Sequence, residues 1–301
     1  PNCKYNSALV VALKRDAFGN FTGIRTCLDT RPLNNALITD DKFQLPFIRN
    51  VLEQFTGCDI FGEFDLSEAY LQFQLHPESM PYTAFTWQGV QYMFVGCPFG
   101  INLLPSHFQR IMSFIFHDCK FTIPYLDNIP IGSSDWDEHM SHVLIVVNRL
   151  NEANLKIKPS SIKIGHSEIR CLGHLLSRQG ISISPSKVES IMQWPLPSTG
   201  KELQSFLGLT TFIRQYIRHF ADLTGPLEAV KNNSVIEWND FLREQFELTK
   251  IAIANAPILQ FPDFSKPFHI ATDASNTGVG GVLYQPDECM EILHQIILWP
   301  F

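Results

Sequence analysis

The apolar runs Ala8–Lys14 and Phe21–Leu28 are rich in β-branched residues and enclose a polar, Gly-containing turn at 15–20. That pattern predicts a β-hairpin. Over Pro46–Phe55 the period lengthens, and Phe47, Val51, Leu52 and Phe55 share one face of a helix that the proline opens. Ile60–Asp65 reads as a short strand, and Phe85–Trp87 with Gln91–Val95 as a second hairpin about Gln88-Gly89-Val90. Pro105 starts another helix, with Phe108, Ile111, Met112 and Ile115 turned inward. Phe121–Leu126 and Ile129–Gly132 read as strands around Asp127-Asn128, a two-residue turn in which Asn tolerates positive φ. Ser134 to Asn154 reads as a long helix, and Cys171–Leu176 as a strand.

Beyond Trp194-Pro195-Leu196-Pro197 the spacing becomes helical throughout. Leu203, Phe206, Leu207, Thr210, Ile213, Ile217 and Phe220 form one stripe, which Thr199 or Gly200 can cap. A further helix is predicted over Asp240–Asn255. Strand character returns at Pro267–Thr272 and Val279–Tyr284, around Asp273-Ala274-Ser275. There is no internal repeat. The order predicts an α+β body followed by the start of a separate α/β domain.

The chain has 301 residues, 45% hydrophobic and 18% charged, which excludes a disordered tail or a coiled coil. Its longest apolar runs, such as Val143–Val147, fall far short of a membrane span, so no membrane partner is expected. The seven cysteines are scattered without a CxxC pair, which argues against a zinc ribbon or disulfide framework and for a reducing compartment. The chain opens Pro1-Asn2-Cys3 without an initiator Met or a charged-then-apolar leader. It is therefore read as a fragment, with nothing that marks it as secreted, so an intracellular setting is expected. Net charge is −7, but residues 151–231 carry 10 Lys and Arg against 6 Asp and Glu, a basic segment between two acidic ones.

Two acidic positions stand out. Asp65 ends an apolar strand, where a carboxylate is poorly solvated unless it binds something; it could equally cap the turn at Ser67–Leu71. Asp127 is displayed beside Asn128 on a hairpin, where either could be turn chemistry alone. Together they suit two hard divalent cations that leave coordination positions for substrate phosphates.

At these residues the chain resembles the reverse transcriptases of gypsy-class LTR retrotransposons, and the match runs in order along nearly its whole length. Leu9–Lys14 and Ile24–Asn34 resemble the fingers strands, and Asp65–Gln72 the first catalytic motif. Pro98-Phe99-Gly100 through Pro105, with Phe108-Gln109-Arg110, resembles the substrate loop and helix. Tyr125–Asn128 resembles the Tyr-x-Asp-Asp hairpin, Cys171-Leu172-Gly173-His174 the primer grip, and Lys201–Leu209 the start of the thumb. Phe261–Phe264 and Thr272–Ser275 resemble the lead-in to RNase H.

The resemblance implies a right-hand polymerase of fingers and palm (1–180) and thumb (181–231), with a tether and incomplete RNase H-like domain (232–301). The implied activity is RNA- and DNA-directed synthesis of DNA from dNTPs on a primed template, with two Mg²⁺ ions for which Mn²⁺ can substitute. Asp65 and Asp127 would be the metal ligands, with Asn128 completing the catalytic hairpin. Lys14, Arg15 and Arg25 would hold the triphosphate. Tyr70, Phe99 and Gly100 would shape the nucleotide pocket, Tyr70 by excluding the 2′-hydroxyl. Gln109, Gly173, His174, Lys201, Arg214 and Arg218 would contact nucleic acid. Asp29 and Arg31 are expected as a structural ion pair.

His139 and His142 form an H-x-x-H that reads better as a polar helix face than as a zinc site. Asp273 matches the first RNase H carboxylate, and the chain ends 28 residues later, so RNase H activity is not expected of this fragment. The chain also departs from the family. Asn128 replaces a carboxylate, Pro124 and Pro130 each remove a ladder donor, and Asn102-Leu103-Leu104 alters the substrate loop. The expectation is a polymerase weakened by Asn128. The alternative is a decayed element copy that at most binds nucleic acid, and an unrelated binding module would require the motif order to be accidental.

Overall fold

The computed structural model describes residues 3–15, 21–38, 43–217, 220–258, 261, 265–275, 278–285 and 297–300. The chain divides into two compact units, Pro1–Ile169 and Arg170–Phe301.

In the first unit, strands β1 (Leu9–Arg15) and β2 (Phe21–Leu28) form the expected hairpin, in register from Leu9↔Leu28 to Lys14↔Gly23. Two short helices follow, α1 (Arg31–Ala36) and α2 (Ile48–Glu53). Strand β3 (Ile60–Asp65) runs into a 3-10 turn at Ala69–Gln72. Strands β4 (Phe85–Trp87) and β5 (Val90–Tyr92) make the second hairpin, whose turn is Gln88-Gly89 rather than the three residues expected. Both turn residues have positive φ, and Val90 is thereby free to pair with Trp87. Helix α3 (Leu104–Ile115), strand β6 (Asn128–Ser133), helix α4 (Trp136–Glu152) and strand β7 (Lys163–His166) complete the unit.

Strand β3 lies between β6 and β7 in an antiparallel sheet, paired from Ile60↔Ser133 to Asp65↔Asn128. Alternation along the strands sends Gly62, Phe64, Ile129 and Ile131 to one face and Phe61, Glu63, Asp65, Asn128 and Pro130 to the other. The first face is the core. Phe64, Ile129 and Ile131 pack with Phe108 and Met112 of α3 and with Val143, Val146 and Leu150 of α4. Burying each of these side chains stabilises the fold by about 1.5–3 kcal/mol. Helix α4 is started by Asp135, whose carboxylate accepts the Glu138 backbone N–H at 2.9 Å.

The expected polar face at His139 and His142 is not found. His139 is fully buried against Ser133 Oγ (3.0 Å), and its Nε2 accepts the Gly165 backbone N–H at 3.1 Å. That bond identifies Nε2 as the unprotonated nitrogen. Burial holds the His139 pKa below the usual histidine value, with His142 adding to the shift. His142 stacks on Phe121 with ring centroids 3.9 Å apart. Among the described residues, no cluster of three or more His, Cys, Asp or Glu side chains could hold a metal ion.

Strands β8 (Glu168–Cys171), β9 (His174–Ser177) and β10 (Gly180–Ile183) form an antiparallel meander. The single strand expected over Cys171–Leu176 is therefore two. Leu172 and Gly173 both have positive φ, the signature of a tight two-residue hairpin turn. Helices α5 (Pro185–Met192), α6 (Gly200–Phe212), α7 (Phe220–Val230) and α8 (Asp240–Ala254) follow. Thr199, not Gly200, caps α6, in a reciprocal capping box with Glu202. The long apolar stripe does not form one helix. Thr210 and Thr211 hydroxyls both donate to the Leu207 carbonyl, competing with the helical ladder, and the chain passes through a 3-10 turn at Arg214–Tyr216 before α7. Phe206 and Phe246, 4.6 Å apart, and Trp238 form the aromatic centre of this unit. Strands β11 (His269–Ser275), β12 (Gly278–Tyr284) and β13 (Ile297–Pro300) close the chain as an antiparallel sheet. Among the described residues, no helix is long and apolar enough to cross a membrane.

Candidate functional site

Two mutual backbone bonds between Tyr125 and Asn128, of 2.9 and 3.1 Å, close a tight turn. Its central residues are Leu126 and Asp127, not the expected Asp127-Asn128, and Asn128 is already the first residue of β6. Leu126 takes the positive φ, +53°, that the sequence pattern assigned to Asn. A branched side chain there costs about 1–2 kcal/mol. Gln109 on α3 offsets that strain. It is completely buried, its Oε1 accepts the Leu126 N–H at 2.7 Å, and its Nε2 donates to the Pro124 carbonyl at 2.8 Å. The expected template contact at Gln109 is corrected accordingly: the side chain faces the hairpin from inside and braces it.

The two hairpin prolines act on one side only. The Leu66 N–H donates to the Asp127 carbonyl, which sets the bonding parity of β3 and β6 and leaves Glu63↔Pro130 a non-hydrogen-bonded pair. Asn128 and Gly132 donate outward, to Tyr125 and Phe121, so the missing Pro130 donor is also an outward one. The central β3–β6 ladder keeps its bonds. The 121–124 arm keeps the Gly132 bond to Phe121 but lacks a donor from Pro130, and it is not a strand, contrary to the expected Phe121–Leu126.

Asp65, at the end of β3, lies opposite Asn128. The Asn128 amide bridges two carboxylates: Nδ2 donates to Glu63 Oε1 at 2.5 Å and to Asp65 Oδ1 at 3.1 Å. Glu63 is 4% exposed, and its Oε2 accepts from Lys163 Nζ on β7.

A cavity of about 630 Å³ opens beside the hairpin. Asp127, Tyr70, Phe99 and Lys158 line it, together with β2 residues such as Thr26. The Tyr70 ring stands edge-on to Phe99 (5.3 Å) and Phe108 (5.2 Å). Burial first, and the Asp127 charge second, push the Tyr70 phenol pKa up. Lys158 was not singled out for this site. It arrives because its backbone N–H donates to the Asp65 carbonyl at 2.8 Å, a pairing between segments far apart in sequence. Gly100 is outside the cavity lining. It has φ +103°, and its carbonyl accepts from Thr30 Oγ1 (2.7 Å) and Asn34 Nδ2 (2.8 Å). An added Cβ would meet Thr30 Oγ1 at 2.7 Å, so the close approach to Thr30 already requires glycine at this position.

Lys14, Arg15 and Arg25 lie on β1 and β2, with Lys14↔Gly23 and Ala12↔Arg25 in register; their side chains are outside the described residues. Asp29 and Arg31 form the expected ion pair, with Arg31 Nη2 at 2.7 Å from Asp29 Oδ2. The guanidinium holds the Asp29 pKa down to about 2.

In the second unit, His174 is buried rather than presented to a ligand. Its Nδ1 bonds Tyr216 Oη at 2.6 Å, and its ring stacks on Phe212 at 4.9 Å. Burial, with the Lys187 charge adding, lowers its pKa to about 4. Lys187 Nζ sits 3.6 Å above the Phe212 ring, and an added Cβ on Gly173 would collide with Lys187. The nucleic-acid contact expected at His174 is thus replaced by packing. Lys201 and Arg214 are exposed. Arg218 and the Asp273 side chain lie outside the described residues; the Asp273 backbone pairs with Gly280.

Residues 13–176 match the family described as reverse transcriptase (RNA-dependent DNA polymerase). The chain belongs to the reverse transcriptases. Residues 238–299 match the RNase H-like domain found in reverse transcriptase. The chain is 34% identical over 288 residues to the Pol polyprotein from transposon 297 of Drosophila melanogaster, covering 94% of this chain and 27% of that protein. It is 31% identical over 313 residues to that of transposon gypsy of the same organism, covering 98% and 30%. This reverse transcriptase chain therefore spans under a third of the length of these relatives. Its fold is that of the foamy viral protease-reverse transcriptase in complex with RNA/DNA hybrid, with a TM-score of 0.83, 22% identity, and 98% of this chain and 39% of that chain covered. The gypsy-class resemblance and the α+β fold are as the sequence implied.

Proposed function

We propose that this chain is an RNA- and DNA-directed DNA polymerase that adds dNTPs to a primer 3′-hydroxyl, with two divalent ions at Asp65 and Asp127. One observation carries the reading: Asp127, Tyr70, Phe99 and Lys158 converge on a single cavity at the hairpin that also bears Asn128 opposite Asp65. The donor set suits Mg²⁺, which is usually held by one or two carboxylates while substrate phosphates and water fill the other positions. Mn²⁺ has the same preference for oxygen. Ions bound there would favour ionisation of the 3′-hydroxyl and offset the charge of the leaving pyrophosphate.

The chain's own residues do the rest. Tyr70, held edge-on by Phe99 and Phe108, forms a wall against a 2′-hydroxyl. Lys158 offers positive charge to the triphosphate, joined by Lys14, Arg15 and Arg25 from the β1–β2 hairpin. Lys201, Arg214 and Arg218 contribute sequence-independent contacts to a duplex backbone. The RNA/DNA hybrid in the foamy viral complex is the kind of template–primer proposed here.

Primer extension on poly(rA)/oligo(dT) with Mg²⁺ or Mn²⁺ tests the reading. Asp127→Asn should lower the rate at least about 100-fold, the size of effect expected when one preorganised electrostatic group is lost. A parent that binds duplex but extends no primer would instead support the decayed copy.

A further inference from the structure

The sequence treats Asn128 as a lost carboxylate. The structure shows what its amide does. Two carboxylates face Asn128 Nδ2, so the amide must present its nitrogen to them; an oxygen there would meet two acceptors with no proton between. The two N–H groups of that nitrogen diverge, one to Glu63 Oε1 and one to Asp65 Oδ1. Glu63 in turn is tied to Lys163 through its other oxygen. The result is one chain of contacts, from Lys163 through Glu63 and Asn128 to Asp65. Two carboxylates and one ammonium are joined by a neutral donor. Glu63 is almost fully buried, so its bond to the amide is charge-assisted and poorly screened.

Resting on the polymerase reading, we propose that Glu63 is a positioning residue for Asp65. By accepting one amide N–H of Asn128 it commits the other to Asp65 Oδ1, and this fixes the carboxylate that the chemistry uses. Bonds of this kind orient metal-binding carboxylates from behind. Residues 63 and 128 are then a matched pair, with the charge on one and the donor on the other. Asn128 marks a relocation of the acidic group rather than its loss. Replacing Asn128 alone by Asp sets a carboxylate against Glu63 and removes the amide bridge to Asp65. Exchanging the pair restores a donor facing an acceptor, because Gln at 63 can donate Nε2–H to Asp at 128 while its Oε1 accepts from Lys163.

The test uses the full chain as Glu63→Gln, Asn128→Asp and the double variant Glu63→Gln/Asn128→Asp. Three readouts are compared: thermal midpoint in EDTA, Mn²⁺ affinity by electron paramagnetic resonance, and kcat and KM for single-dNTP incorporation. Asn128→Asp should lower the midpoint by several degrees. Glu63→Gln should weaken Mn²⁺ binding and lower kcat by about tenfold with KM for dNTP nearly unchanged, since the loss falls on positioning rather than on nucleotide binding. The double variant should recover the midpoint, because the 63–128 pair again has a donor facing an acceptor, while Mn²⁺ affinity and kcat stay at least about tenfold below the parent, because Asp at 128 offers no N–H to Asp65. A double variant whose midpoint is no higher than the two single shifts added together overturns the proposal, as does one with parental Mn²⁺ affinity and kcat, and as does an Asn128→Asp chain with parental midpoint and Mn²⁺ affinity. Should Asn128→Asp fail to fold, Glu63→Gln against the double variant still decides. A parent that extends no primer while Mn²⁺ affinity and midpoint show the coupling would refute the polymerase reading and leave the pairing standing.

Discussion

The two faces of the β6-β3-β7 sheet are built from the same short strands and answer to opposite demands. On one face, Phe64, Ile129 and Ile131 meet α3 and α4 and are essentially dry. Their neighbours offset one another's imperfections, as when Ser133 and Gly165 satisfy the buried His139 ring. On the other face Phe61 packs against Phe55 at one end, and toward the hairpin Glu63, Asp65 and Asn128 alternate with those same core residues and hold one another by charge and hydrogen bonds. The comparison teaches that a strand with a period of two can give its stability to one face and its charge to the other. Neither face can shift register without exchanging roles.

Breaking the apolar face should produce the largest stability effect. Phe64→Ala should cost about 3–5 kcal/mol in urea unfolding, the usual range for emptying a buried aromatic site. A loss below about 1 kcal/mol would mean that this face is not the core. The hairpin that joins the faces is probed by Gln109→Leu. It strands the Leu126 N–H and the Pro124 carbonyl, so stability should fall by about 2–3 kcal/mol, and amide exchange at Leu126 should quicken. Unchanged stability with weaker template binding would instead restore a template contact. The smallest effect is expected from Pro130→Val. The donor it supplies points away from β3, so stability should change by no more than about 1 kcal/mol. A larger gain would show that the proline does interrupt the central ladder.

Much of the apolar face was legible beforehand, because helix and strand periods are local. Strand Ile60–Asp65 and the inward residues Phe108 and Met112 appear as their spacing predicts. Turn residues were read less well. The positive φ went to Leu126 rather than to Asn128, because a buried glutamine on another element makes that conformation tolerable. The stripe from Leu203 to Phe220 was read as continuous, because periodicity does not register two threonines competing for one carbonyl.

By itself, the sequence determined the α+β class, the reverse transcriptase motif order and the placement of Asp65 and Asp127 on neighbouring elements. All of these depend on residue type and spacing along the chain. Only the tertiary structure decided what several of the named residues do. Gln109 and His174 are polar groups that look available in the sequence, and burial commits them to Leu126, Pro124 and Tyr216. Lys158 joins the cavity and Glu63 the Asn128 amide through strand pairing between distant segments. A hydrogen bond reports the position of two groups in space, and the spacing of residues along a chain carries no such information until the chain has folded.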